Sequence, residues 1–389
     1  MEFIELTEKE FKKELDKQPL KNFLQLPEFA KMKGLNGWNS MYFGVKEEKS
    51  IKAITLLCYR KRRFGIEYYA PRGILADYKD KELLGFFINN LKKYMKKNKG
   101  YIFRIDPYLI KRERDIDGNI VEDGINNEEA IDNLYKLGFK KCNHPEQISW
   151  SFSLDLNKKE TDEELLNNMK GNTRRDITRA IKNGVVFREI SYDEINIFKK
   201  VLDKTGSRKN FSTRNLEYFQ KLYNELVPKK LAKFVVAELD PKKTKEEKEK
   251  EVKELDEKIK TAKKNVTTLQ DQQAKLKKEI EELKELKDKI VLAADIFITY
   301  GDEVVYLYGG NDEAYIKYCG AYLTQWEMIK YARDNGYKKY NFYGISENFS
   351  DEKDPEYGVY KFKKGFNGYV EELIGEYHLP LSLLYYLHK

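Results

Sequence analysis

KFVVAELDPKKTKEEKEKEVKELDEKIK, residues 233–260, passes within a few letters from a strand to a charged helix. Its first seven residues are rich in Val and Phe, as a pleated, half-buried surface requires. Beyond Pro241 and as far as Ile290 there is no Gly, Trp, Tyr, Phe or further Pro. Val252, Leu255, Ile259, Ala262, Val266, Leu269, Gln273, Leu276, Ile280 and Leu283 recur there in steps of three and four, the seam of a coiled coil. Strand composition then returns in IVLAADIFITY (290–300) and VVYLYGG (304–310). Both ends of the charged stretch must therefore rejoin one sheet. This predicts a hairpin of two antiparallel helices, each about 20 residues and roughly 30 Å long at 1.5 Å rise per residue. The turn is expected near Asn265–Thr268, where helix propensity is poorest.

Outside this arm the chain alternates strands and helices. SIKAITLLCYR (50–60) reads as a strand, KELLGFFINNLKKYMKKN (81–98) as a helix, and GYIFRIDPYL (100–109) as a strand broken by Pro107. A helical series at 162–184, a strand VVFREI (185–190), helices around 193–226, helix AYLTQWEMIKYARDNG (321–336) and strand KKYNFYGI (338–345) repeat the rhythm. Two acetyltransferase-like subdomains with mixed sheets, an α/β (α+β) class, are expected. The expected boundaries are 1–148 for the first subdomain, 149–240 with 291–378 for the second, and 241–290 for the arm, with 379–389 a candidate to return to the first. No Q/R-x-x-G-x-G/A turn of the kind that wraps pyrophosphate stands at a strand-to-helix junction, which disfavours acyl-CoA as donor.

At 389 residues, with 28 Tyr and 21 Phe, the chain can bury more than one core. A formal charge of +8 suits an anionic partner without selecting one. No window approaches an uninterrupted membrane span, and MEFIELTEKEFKKEL is unlike a signal peptide, so a cytoplasmic protein is expected. Cys58, Cys142 and Cys319 show no CxxC pairing, and His144, His378 and His388 show no ligand spacing, so neither a disulfide framework nor a metal site is indicated.

GVYKFKKGFNG (358–368) poses the sharpest chemical question. Val359, Phe362 and Phe366 recur at the spacing of one apolar helix stripe, which makes the lysines a solvated face. Alternatively a lysine held among buried aromatics sits in low dielectric, where a cation stabilises developing negative charge far better than in water.

Several stretches together resemble the Fem/Mur family of peptidoglycan-bridge aminoacyltransferases, in its long form with a helical arm. They are YYAPRGILADY (68–78), LKKYMKK (91–97), FRIDP (103–107), NTRRDITRAIKNGV (172–185), YLYGG (306–310), YLTQWEMIKYA (322–332), YNFYGIS (340–346) and YGVYKFKKGFNGYVEELIG (357–375), in family order along the chain. The resemblance implies paired acetyltransferase-like subdomains and transfer of an amino acid from aminoacyl-tRNA to the stem peptide of a cell-wall precursor, lipid II or UDP-MurNAc-pentapeptide. By motif position it implies that Lys33 and Arg214 hold the precursor diphosphate with Ser212 and Tyr218 supporting. Tyr101 and Asp106 would line the peptide end of the groove, and Phe362 with Lys363 would meet the reacting centre. YGISENF departs from a more usual glycine after YGIS, and that departure bears on the loop after Ser346, because glycine permits backbone geometry that Glu347 tolerates poorly.

Each residue also has a plainer reading. Lys33 is equally an exposed helix-end lysine, Arg214 a partner for Glu217 one helical turn away, and Asp106 a turn residue before Pro107. Arg175, Arg179 and Lys182 form a basic stripe, either a solvated face or a tRNA contact.

Aminolysis of an activated ester needs no cofactor. It needs an oriented amine, a route for its proton and stabilisation of the tetrahedral oxyanion. Lys363 fits the last task, and Asp106 is a candidate for holding the amine or taking its proton. The alternative is a non-catalytic scaffold of cell-wall assembly that uses the same body and arm. The arm, with 16 Lys against 13 Asp and Glu over 242–289, is no strongly basic tentacle and suits tRNA or a protein partner alike. A lipid-linked acceptor implies peripheral contact with the inner face of the membrane.

Overall fold

The computed structural model describes residues 1–387 apart from positions 159, 263 and 287. The strands are β1 (Glu2–Leu6), β2 (Asn39–Glu47), β3 (Ser50–Arg62), β4 (Gly65–Ala70), β5 (Gly100–Ile105), β6 (Ile110–Glu113), β7 (Lys140–Lys141), β8 (Trp150–Asp155), β9 (Val186–Glu189), β10 (Ala232–Leu239), β11 (Ile290–Tyr300), β12 (Glu303–Asn311), β13 (Lys339–Gly344), β14 (Tyr369–Leu373) and β15 (Tyr377–Pro380). The helices are α1 (Glu8–Leu15), α2 (Pro27–Gly34), α3 (Lys81–Lys97), α4 (Glu128–Lys136), α5 (Asp162–Asn168), α6 (Gly171–Lys182), α7 (Ile195–Lys209), α8 (Leu216–Leu226), α9 (Pro241–Thr261), α10 (Val266–Lys284), α11 (Gly320–Asp334) and α12 (Tyr357–Lys364).

Two units emerge. The first comprises Met1–Asp155, Tyr300–Glu303 and Asn341–Lys389, the second Leu156–Thr299 and Val304–Tyr340. This partition assigns 341–378 to the first unit, where the sequence reading had placed it in the second.

In the first unit the strand order is β1-β2-β3-β4-β5-β15-β7. β4 and β5 run parallel, joined through α3, and the neighbouring pairs are antiparallel. α3 is capped by Asp80, whose side chain accepts the Leu83 N–H, and buries Leu84, Phe87, Ile88, Leu91 and Met95 against Phe43, Tyr68 and Phe103 of the sheet. Each such side chain, fully removed from water, contributes about 1.5–3 kcal/mol. β15 returns late in the chain to pair with β5, Tyr377 opposite Ile105.

In the second unit the order is β12-β11-β10-β9. Leu239 and Ile290, the residues flanking the arm, are register partners in the β10–β11 ladder, so a hairpin closes an ordinary antiparallel pair. α9 and α10 form that hairpin. α9 ends at Thr261 and Val266 already begins α10, so the chain has reversed before most of the expected Asn265–Thr268, and Asn265 adopts the left-handed conformation (φ 62°) that asparagine tolerates. The helical series at 162–184 divides at Met169, whose extended ψ of 156° ends α5.

Candidate functional site

Asp106 directly follows β5 and lies 1% exposed. The Arg72 backbone N–H donates to its Oδ1 at 2.9 Å, and the Arg72 guanidinium, itself buried, stands 3.7 Å from its Oδ2. Asp106 is therefore no exposed turn residue. Burial pushes its carboxyl up, to about 7, against the opposing charge of Arg72. Arg72 Nη2 in turn donates to the Ile148 carbonyl at 2.9 Å.

Lys33, near the end of α2, is partly buried rather than exposed. Its Nζ is 3.4 Å from Glu146 Oε1, 4.8 Å from the Tyr69 ring centre and 5.6 Å from that of Trp38. Arg60 covers Trp38 at 4.1 Å, and Arg104 spans Glu376 (2.6 Å), Glu67 (3.1 Å) and Glu146 (3.3 Å). Tyr101 is the extra residue of a bulge, since Ile66 pairs with Gly100 and Glu67 with Ile102. Burial, and next the neighbouring Glu67, raise its phenol above the ordinary range.

Lys363 answers the question posed by GVYKFKKGFNG. α12 does not bury the predicted stripe of Val359, Phe362 and Phe366. It buries Tyr360 and Lys363, with Phe366 just beyond its end, while Val359 and Phe362 are half-buried. Lys363 is 5% exposed, and its Nζ donates to the Gly344 carbonyl at 2.5 Å. Phe366 packs on Phe362 and Phe342 at 5.4 and 5.1 Å between ring centres. Gly344 closes β13 behind Tyr343, and a Cβ there would meet Ile148 at 2.9 Å. The left-handed residue of this loop is Tyr343 (φ 64°), not Glu347, so the backbone demand lies on the strand side of Ser346. Asp106, Arg72, Ile148, Gly344 and Lys363 thus form one connected series within the first unit.

The second unit gathers another set. Ser212 and Arg214 lie between α7 and α8, where Asn215 caps α8 by accepting the Tyr218 N–H at 3.0 Å. Arg214 lies over the Tyr218 ring at 5.5 Å, and the Tyr308 hydroxyl meets that of Tyr218 at 3.3 Å. Ser212 lines a cleft of about 250 Å³ with Asp203, Ser207, Asn210, Phe211 and Thr213. On α6, Thr173, Ile177 and Ala180 are buried, which leaves Arg175, Arg179 and Lys182 exposed on the other face. Arg179 pairs with Asp176 at 3.2 Å.

Sequence reasoning missed Arg72, Arg104 and Glu376. The first two stand inside quoted motifs, YYAPRG and FRIDP, and a charged residue beside a buried strand end was the available signal.

Comparison with known proteins places this geometry. The sequence model of the FemAB family matches residues 6–389. Aminoacyltransferase FemA of Staphylococcus aureus (strain MRSA252) is 32% identical over 406 aligned residues, covering 98% of this chain and 96% of the relative. The crystal structure of FemX matches with a TM-score of 0.77 at 26% identity, covering 98% of this chain and 97% of that one. A tandem GNAT protein from the clavulanic acid biosynthesis pathway, at TM-score 0.51 and 10% identity, shares the fold and covers 98% of each chain. Acetyltransferase-like architecture with relatives of this kind defines an aminoacyltransferase. The chain belongs to the FemAB family.

Proposed function

We propose that this aminoacyltransferase moves an amino acid from aminoacyl-tRNA to the stem-peptide amine of a peptidoglycan precursor, lipid II or UDP-MurNAc-pentapeptide, and so builds the interpeptide bridge. The observation that carries the reading is Lys363, a cation 5% exposed and oriented by the Gly344 carbonyl.

The amine nitrogen attacks the ester carbonyl carbon, the new C–N bond forms, and an oxyanion develops on the carbonyl oxygen. The C–O bond to the terminal ribose then breaks, and the ribose hydroxyl leaves with a proton that the ammonium has given up. Lys363 stabilises the oxyanion, and Phe362 shields that charge from water. Asp106 holds the incoming amine or accepts its proton, and a carboxyl raised to about 7 suits the second task at neutral pH. On the family resemblance, Lys33 and Arg214 are each cations for the precursor's phosphates, Ser212 and Tyr218 support Arg214, and Tyr101 lines the peptide end. The exposed stripe Arg175, Arg179 and Lys182 contacts tRNA phosphates.

The test is transfer of radiolabelled amino acids from a panel of charged tRNAs to both acceptors. Labelled precursor with one tRNA supports the reading. No transfer to either acceptor from any tRNA overturns it.

A further inference from the structure

We propose that one end of the first unit's sheet is a docking surface for an anionic membrane, with Leu383 and Leu384 entering the headgroup region and a ring of lysines and arginines around them.

Residues 381–386 follow β15 and lie beside the start of β5, where the Leu381 N–H donates to the Tyr101 carbonyl at 3.0 Å. Leu383 is 84% exposed, Leu384 46% and Tyr386 54%, whereas Tyr385 turns inward onto His378. Three separate elements bring basic residues to the same end. Lys96 and Lys97 close α3, and Lys99 directly precedes β5. The β3–β4 hairpin adds Lys61 and Arg63, and it is fastened here because the Ile66 N–H donates to the Lys99 carbonyl at 2.9 Å. β7 brings Lys140, whose Nζ lies 5.4 Å from the Tyr386 ring. All six cations are exposed.

The acids of these elements lie elsewhere. Glu82 is in the first turn of α3, and Glu47 and Glu48 are at the far end of β3. Glu67 is buried against Arg60, Arg62 and Arg104. Exposed leucines within a basic ring match the chemistry of a lipid interface, where apolar burial and attraction to anionic headgroups add together. Tyr386 with Lys140 is the kind of amphipathic pair that settles at headgroup level. A nucleic acid would use the cations but gain nothing from leucines, so the lipid surface is favoured. Among the described residues no helix is long and apolar enough to cross a membrane, so this contact is peripheral.

The inference bears on the proposed function by bringing the enzyme to a lipid-linked acceptor, and its test is independent of catalysis. Flotation of the full chain with phosphatidylglycerol-containing vesicles is compared with flotation on phosphatidylcholine vesicles. The wild type should float with the anionic vesicles and be weakened by salt. Leu383→Glu/Leu384→Glu, and separately Lys96→Glu/Lys97→Glu/Lys99→Glu, should partition at least about tenfold more weakly with unchanged Tm. Equal flotation of wild type and the leucine variant overturns the proposal. So does loss of a dimer, in light scattering, as the leucine variant's only effect, which makes a second copy the occupant. Binding of tRNA that depends on these lysines while no vesicle binding is seen makes nucleic acid the occupant and likewise overturns it. Transfer to the soluble UDP-linked acceptor should survive in the leucine variant while transfer to vesicle-borne lipid II falls. If no acceptor is used at all, the proposed function fails while flotation still decides the docking surface.

Discussion

Replacing Lys363 by methionine keeps the length of the side chain and removes its charge. In the folded protein Nζ spends one hydrogen bond on the Gly344 carbonyl, at 2.5 Å in a site 5% exposed. Losing that donor takes a hydrogen bond from the half-buried Gly344 carbonyl, at about 1 kcal/mol, while removal of a buried ammonium gives part of it back. Stability should therefore fall modestly, and urea denaturation reads that part. Activity should fall further. A donor that acts on the oxyanion is worth about 10²–10³ in rate, roughly 3–4 kcal/mol, and acts in the transition state alone. Measured on folded protein with saturating charged tRNA, kcat should drop by that factor with both KM values nearly unchanged. A kcat within about threefold of wild type would show that Lys363 only ties α12 to β13, since that change is under 1 kcal/mol.

Arg72→Met removes the countercharge of a fully buried carboxyl raised to about 7, so the loss of stability in unfolding should be larger above pH 7, where that carboxyl is ionised, than below it, and Arg72→Met/Asp106→Asn should recover a large part of the high-pH loss. Equal stability of the single and double variants would refute the pairing. Lys33→Ala and Arg214→Ala should each raise the acceptor KM by tenfold or more, about 2 kcal/mol for a charge-assisted phosphate contact, and leave the tRNA KM alone. Unchanged acceptor KM values remove both from the diphosphate. Asp295, buried on β11 with the Tyr306 hydroxyl 3.2 Å from its Oδ1, is raised by burial from 3.8 to about 7. The fold binds this proton more tightly than the unfolded chain does, so the stability it contributes is full below about pH 4 and is lost as pH rises through 7. Asp295→Asn should flatten that slope in urea unfolding series across this range, and a slope unchanged from wild type would exclude Asp295 as its source.

The arm was legible because its signal is local: a heptad seam needs no knowledge of the rest of the chain, and Leu239 opposite Ile290 closes the ladder as an insertion must. The burial of Lys363 was legible only as one of two readings, because the letters of α12 also fit an apolar stripe with a solvated lysine face and the deciding carbonyl comes from Gly344, 19 residues away. Tyr101 could be placed on β5 but not aimed, since its direction depends on a bulge set by the register of β4. Asp106 could be quoted from its motif, yet its partner Arg72 lies 34 residues earlier and no local spacing links them. The shared rhythm of strands and helices gave the architecture. It said nothing of the exchange by which 341–378 joins the first unit, because strand order depends on pairing between distant segments.

The hairpin of α9 and α10 is dry only at its root. There Ile280 and Leu283 are buried, Lys248 bridges to Glu279 at 2.6 Å, and the Thr244 hydroxyl donates to the Asn183 carbonyl at 2.8 Å. Further out each seam residue, Val252, Leu255, Ile259 and Leu269, has a single helix to lean on and stays half-buried. Such a ladder opens from its free end. Amide protons near the tip should exchange through small local openings, while those near Thr244 and Leu283 should wait for the sheet itself to open. The arm therefore behaves as a spring leaf clamped at one end, and whatever grips its tip can bend or unzip the outer turns without disturbing the strand that carries Tyr306 and Tyr308.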